Sequence, residues 1–305
     1  TLRLSAMTST FSTRGVTALG VPPRRSAGWH LRAVWRKSAP GVIGAVIFAC
    51  ILLLTIFAPI VAPRDPLANA VTARFIGPSV EYPFGTDNLG RDVFSRVLYG
   101  GRSILAIGFL SVGAGLGVGL LIGTISGYRG GWLDNLLMRM MDIMLSFPSV
   151  LLAILIVATI GRGMQNIVIA IAFSLVPVFA RLVRSVVLGL LHEEYVTAAH
   201  SLGARDGEII RRHIVPNIVA PMIVQASALL AVAISTAAAL NFIGLGVQPP
   251  DPDWGLMVAD GQKMLYDAPH VPVFPGIAIT ITVLSINFIG DTLRDYLDPR
   301  LRRSG

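Results

Sequence analysis

Six stretches of roughly twenty apolar residues recur along the chain, at 41–62, 104–127, 143–160, 165–182, 218–246 and 273–290. A helix of that length crosses the apolar core of a bilayer. The pattern therefore predicts an all-α polytopic membrane protein with six transmembrane helices. One long polar stretch, 193–217, lies among the later spans. Within it Tyr195, Ala198, Ala199 and Leu202 fall on one helical stripe. Gly203 breaks that stripe as a C-terminal cap would. Asp206 is placed to cap a second turn carrying Ile209, Ile210 and Ile214, and Pro216 to close it. The expected form is a helix–glycine–helix elbow between two spans.

Smaller patterns refine the spans. Gly115, Gly119, Gly123 and Gly127 recur every four residues of the second span, a spacing that lets helix backbones approach closely. They predict a tight helix–helix seam, within this chain or with a partner. Pro148 and Pro177 interrupt the third and fourth spans and predict kinks. Residues Gly90 to Tyr99 read as a separate interfacial helix, capped by Asp87 or Asn88. The 247–272 connection, with Pro249, Pro250, Pro252, four acidic residues and Trp254, is long enough to expect a function.

Charge gives the spans a direction. Residues 1–40 carry seven Arg or Lys and no acidic residue, which reads as a basic cytoplasmic tail rather than a signal peptide. With that tail inside, 18 of the 25 Arg and Lys fall on inside segments. Cytoplasmic loops carry such an excess, so both termini and the elbow are expected in the cytoplasm. Only 14% of the 305 residues are charged, against about 25% in soluble domains, and mean hydropathy is +0.69. The net charge of +8 sits between apolar spans, which favours membrane topology over nucleic-acid binding. The single cysteine, Cys50, excludes an intrachain disulfide and is expected to pack in its span. The five histidines show no metal spacing, so no metal site is expected.

The absences matter as much. Within the span boundaries the only Asp, Glu, Lys, Arg or His is Arg181, at the edge of the fourth span. Ion-coupled carriers place ionisable groups inside the membrane, and this pattern argues against an autonomous channel or secondary carrier. No phosphate-binding GxxxxGK[ST] loop is present. The chain has the architecture of a pathway without an engine, so the engine belongs to another subunit.

Thr197-Ala198-Ala199-His200-Ser201-Leu202-Gly203, followed by Pro216, resembles the EAA motif of bacterial ABC importer permeases. The family carries glutamate where this chain has Thr197 and isoleucine where it has His213. Further segments resemble the C-type subunit of the dipeptide/oligopeptide/nickel permease family. They are Gly85 through Arg96 with Gly101-Arg102-Ser103, Phe147-Pro148, Phe242 through Pro250 with Trp254-Gly255, and Gly290-Asp291 through Asp298-Pro299-Arg300. The resemblance runs from about residue 41 to 303. It implies the type I ABC importer permease fold in a bacterial inner membrane, as a non-catalytic transport subunit. It implies a coupling helix docking cytoplasmic ATPases through Ala198, Ala199, Gly203, Ala204, Arg205, Asp206 and Pro216. Expected partners are a second, homologous permease, two ATPase subunits that bind ATP-Mg, a substrate-binding protein and the lipid bilayer, with no nucleic acid. This chain itself is expected to bind no cofactor. The implied substrates are short peptides, with nickel chelates, glutathione or antimicrobial peptides as alternatives. Asp87, Arg91, Asp92 and Trp254 are candidates for lining an outer vestibule.

Overall fold

The computed structural model describes the backbone of residues 27–297 and side chains from Ala39 onward. The chain divides into residues 1–37 and a compact unit from Ser38. Of the first, only the start of helix α1 (Ala27–Ile56) is described. Most of the expected basic tail, and the Asp298-Pro299-Arg300 segment, lie outside the described residues. Everything below concerns the second unit.

Among the described residues the elements are helical, apart from one isolated bridge between Thr86 and Asp92. After α1 come α2 (Ala58–Val61) and a loop reaching α3 (Val93–Arg129). Then follow α4 (Gly131–Leu145), α5 (Ser149–Ile160) and α6 (Met164–Leu190). The elbow is α7 (Glu194–Ser201) and α8 (Asp206–Ile209), running into α9 (Val215–Phe242). Two more helices close the described chain, α10 (Trp254–Gln262) and α11 (His270–Leu297). Five helical stretches are long and apolar enough to cross a membrane, or six if the bent pair α4–α5 counts as one.

The glycine seam sets the bundle. A Cβ on Gly119 would lie 2.4 Å from Phe179 Cβ, and one on Gly123 would lie 2.5 Å from the Ala180 carbonyl. Gly115 meets Ala172 and Leu175, and Gly127 meets Val187. Both sets of numbers rise together, so α3 and α6 run parallel with their backbones nearly touching. The seam is internal to this chain. Gly113 and Gly117, on the other side of α3, have open space. Helix α9 runs antiparallel to the pair, with Ile234 and Leu230 against Gly108. Helix α1 runs antiparallel to α11, with Gly41 at Thr292 and Gly44 at Ser285 and Phe288.

Several local expectations change. The separate helix at Gly90 to Tyr99 is the first part of the continuous α3. Its cap is Asp92, whose carboxylate accepts from the Ser95 amide at 2.8 Å and the Ser95 hydroxyl at 2.6 Å. Asp87 is instead ion-paired with Arg91, Oδ2 to Nε 2.6 Å. At Pro148 the chain turns by 92° between α4 and α5, because proline ends one helix and starts the next. Pro177 lies inside the unbroken α6. Cys50 is exposed on the outer face of α1 rather than packed.

Helix α4 is tied along α6 by charge. The Arg184 guanidinium donates to both Asp134 oxygens, each at 2.6 Å, and Ser126 also bonds that carboxylate. Arg181 pairs with Asp142. Arg181 is therefore the partner of an acidic residue on α4 rather than a lone charge at a span edge.

Candidate functional site

The bundle has two ends. At one lies the elbow, between the end of α6 and the start of α9. At the other, the starts of α3, α6 and α11 meet the end of α9 and helix α10.

Helix α7 is closed by a pair of backbone bonds. The Gly203 amide donates to the His200 carbonyl at 3.0 Å, and the Ala204 amide to the Ala199 carbonyl at 3.1 Å. Those two bonds define a Schellman ending, which needs a left-handed residue at the first position past the cap. Gly203 supplies it with φ +83°. Ala199 and Ala204, the paired ends of the motif, both pack against the core. Val196 is buried beside them. The rest of α7 faces away from the bundle. Ala198 is exposed, Tyr195 is 42% exposed and Leu202 89% exposed. Solvent exposure of a Leu to that degree at a helix corner, next to a Tyr and an Ala, makes a small apolar knob.

The polar groups around the knob divide into bonded and free. Asp206 does not cap α8. The N-cap is Arg205, without a side-chain bond. The Asp206 carboxylate instead accepts from the Tyr128 hydroxyl at 2.8 Å, which ties the elbow to the end of α3. Arg212 pairs with Glu208 at 2.6 Å. Among the described residues Arg205 and Arg211 form no ion pair, and both are exposed. Thr197 turns its hydroxyl back onto the Glu193 carbonyl at 3.3 Å. Glu193 and Glu194 stand exposed beside it. The His213 ring lies 6.0 Å from that of Tyr195.

Pro216 does not close the elbow. It sits in the first turn of α9, where proline needs no amide partner. Between α8 and α9 the helix widens into a π-helical turn, Ile210–Ile214. The Asn217 side-chain amide donates to the His213 carbonyl at 2.6 Å within it.

The other end carries the proposed vestibule residues, and all four are enclosed. Asp87, Arg91, Asp92 and Trp254 are 4, 7, 2 and 1% exposed. Their roles are internal. The Trp254 indole donates to the Val97 carbonyl at 2.7 Å and fills the space over Gly100 and Gly101. Arg96, also buried, donates to the Pro66 carbonyl at 3.0 Å and reaches the Pro250 carbonyl at 3.5 Å. His270 bonds the Thr86 carbonyl at 3.0 Å, and Phe84 stacks on Phe274 at 3.9 Å. Asp253 caps α10 from a fully buried position. Burial pushes its carboxyl up to about 7, partly opposed by the Gly255 and Leu256 amides and by the nearby Asn241 amide. Asp253 Oδ2 and Asn241 Nδ2 are both buried without a formed hydrogen bond.

What stays open at this end is a cleft of about 580 Å³ between the start of α3, the start of α6 and the 247–252 segment. Arg102 and Asp251 line it. Arg102 sits in a segment quoted for its resemblance, but neither residue stood out as a site in the sequence. The signal was available in that both are charges with no nearby complement of the i, i+4 kind.

Known proteins bear on this architecture. Residues 119–303 match the family described as binding-protein-dependent transport system inner membrane component. The chain is 46% identical over 282 residues to the dipeptide transport system permease protein DppC of Alkalihalophilus pseudofirmus, covering 92% of this chain and 91% of that one. It is 47% identical over 226 residues to the glutathione transport system permease protein GsiD of Pectobacterium atrosepticum, covering 74% and 75%. Among solved structures it is similar to a chain of the inward-facing MetNI methionine ABC transporter, with TM-score 0.53 and 20% identity over 67% of this chain and 96% of that one. That likeness shows the fold. With its apolar helices, its parallel α3–α6 core and its elbow, the chain belongs to the binding-protein-dependent transport system inner membrane component family, the multi-pass permeases of ABC importers.

Proposed function

We propose that this chain forms, with a second homologous permease, the translocation pathway of an ATP-driven importer for short peptides. The chain does no chemistry itself. Two cytoplasmic ATPase subunits bind ATP-Mg and grip the elbow, and a binding protein delivers substrate at the opposite end. The observation that carries the reading is the exposed Tyr195–Ala198–Leu202 knob, held rigid by the Schellman ending at Gly203. A knob needs a socket, and ATP-driven motion of a socket needs a stiff handle. Ala198, Ala199, Gly203 and Ala204 shape the handle. Arg205 and Arg211 are free to meet acidic groups on the partner. Asp206 transmits through Tyr128 to α3, and Pro216 starts the helix that carries the motion onward. Relatives that are named for dipeptide and for glutathione transport support peptides as the substrate class, glutathione being itself a tripeptide.

Gly203→Val tests the handle. A β-branched residue in a left-handed conformation costs about 1–2 kcal/mol or more, and nothing within 4 Å of a new Cβ complicates the result. The variant should insert in the membrane normally, yet lose co-purification with the ATPases and lose ATP-dependent uptake of labelled dipeptide. Retention of both would overturn the docking role. Running the wild-type assay with labelled dipeptide and with glutathione separates the two substrates.

A further inference from the structure

We infer that the cleft between α3, α6 and the 247–252 segment reads both charged ends of a passing peptide, Arg102 taking the carboxylate and Asp251 the ammonium group. The inference rests on the peptide-importer reading above and assigns a recognition site within it.

The size is right. Small-molecule sites enclose roughly 300–1,000 Å³, and this cleft holds about 580 Å³, enough for a short peptide with its side chains. The charges are the second point. Among the buried charges at this end, Asp87 pairs with Arg91 and Arg96. Arg102 and Asp251, the two charges lining the cleft, do not pair. Both are exposed, both line the same cleft, and neither forms an ion pair with the other or with any described residue. Opposite charges in one cleft that do not meet invite a ligand that carries one of each.

Each charge is fixed to its own wall. Arg102 belongs to α3, with its guanidinium carbon 5.9 Å from the Tyr99 ring centroid. Asp251 belongs to a segment pinned on both sides. Arg96 reaches the Pro250 carbonyl, and the Ser103 hydroxyl donates to the Pro252 carbonyl at 3.2 Å. Gln248 adds an acceptor. Its amide nitrogen is spent on the Gly244 and Gly246 carbonyls, at 3.3 and 2.8 Å, which leaves its side-chain oxygen free for a donor. An ammonium group brings three donors and a carboxylate takes a guanidinium fork. Asp251 with Gln248 suits the first and Arg102 the second. Met164 and Val247 provide apolar wall between them, which suits side chains of any kind. Recognition by termini and indifference to side chains is the chemistry a carrier of mixed peptides needs.

The test uses the complete transporter, this chain with its partner permease, ATPases and binding protein, in proteoliposomes. Uptake of labelled dialanine, N-acetyl-dialanine and dialanine amide is compared for wild type, R102Q and D251N. Taking the variant-to-wild-type ratio for each peptide cancels the binding protein's own preference. R102Q should lower uptake of the free and acetylated peptides roughly tenfold and leave the amide unchanged. D251N should lower uptake of the free peptide and the amide, and leave the acetylated peptide unchanged. Equal losses on all three peptides, or none on any, would overturn the inference. As a second measurement, a free dipeptide with a photoreactive side chain should label residues near Met164 and Gln248 during turnover in wild type but not in the R102Q/D251N double variant. This labelling decides the matter if capped peptides are not carried, and labelling confined to other regions would refute the site. If wild type carries no free dipeptide at all, the peptide-importer reading fails, which is a separate and recognisable result.

Discussion

Asp253 is held in a place that disfavours its charge. It is fully buried, it caps α10 through the Gly255 and Leu256 amides, and its second oxygen has no formed bond. With the folded carboxyl up near 7 and the unfolded one at about 3.9, the folded state binds a proton that the unfolded state has lost. Stability therefore falls as pH rises from about 4 to about 7, and the burial penalty is present in full above that window. Asp253→Asn keeps the capping acceptor and removes the titration. The variant should melt higher relative to wild type at pH 8 than at pH 5.5, in thermal scans of detergent-solubilised protein. Parallel pH profiles for the two would show that Asp253 does not titrate in this range. The same residue shows what a sequence hides. Asp253, Asp87, Arg91 and Arg96 look like surface charges, because burial of an ionisable group depends on partners the fold must first bring near. Trp254 and Val97 are 157 positions apart, and no local pattern announces their bond.

Helices were more legible than their junctions. The four-residue glycine repeat pointed to a close-packed seam, and the seam exists, since a Cβ at Gly123 would strike the Ala180 carbonyl, an atom that cannot swing aside. Gly123→Leu should therefore cost about 1–3 kcal/mol of overpacking and part α3 from α6. Gly117→Leu, on the open side of the same helix, serves as the control. Thermal melts should show the first variant weakened and the second near wild type; equal behaviour would mean that the seam does not hold the bundle. One element differs from its expectation for a physical reason. The start of α3 was read as a separate interfacial helix because Arg91, Asp92, Arg96 and Arg102 interrupt the apolar run. Pairing and capping let most of those charges enter the interior, so the helix continues. The acidic residues of helix α4 find partners, Arg184 and Arg181, that lie 50 and 39 positions away, beyond the reach of any periodicity.

At the scale of the molecule, parallel α3 and α6 with antiparallel α9 put the elbow at one end and the cleft at the other. From the Arg and Lys distribution the elbow end is expected in the cytoplasm. A reporter fused near Asp206 should read cytoplasmic and one near Asp260 external. The reverse pattern would invert the whole arrangement, delivery end and motor end together. The elbow and the cleft lie on the same few helices, since α3 runs from Arg102 down to Tyr128 and α9 from the elbow up to Phe242.

The wide turn at Ile210–Ile214 sits between those ends. A π-helical turn amounts to one extra residue threaded into a helix, and one residue is about 100° of rotation. It works as an indexing step. The direction in which the knob points and the face that α9 turns to its neighbours are set by different residues. A lineage could thus re-aim the elbow by adding or losing a single residue here, while every contact along α9 keeps its register.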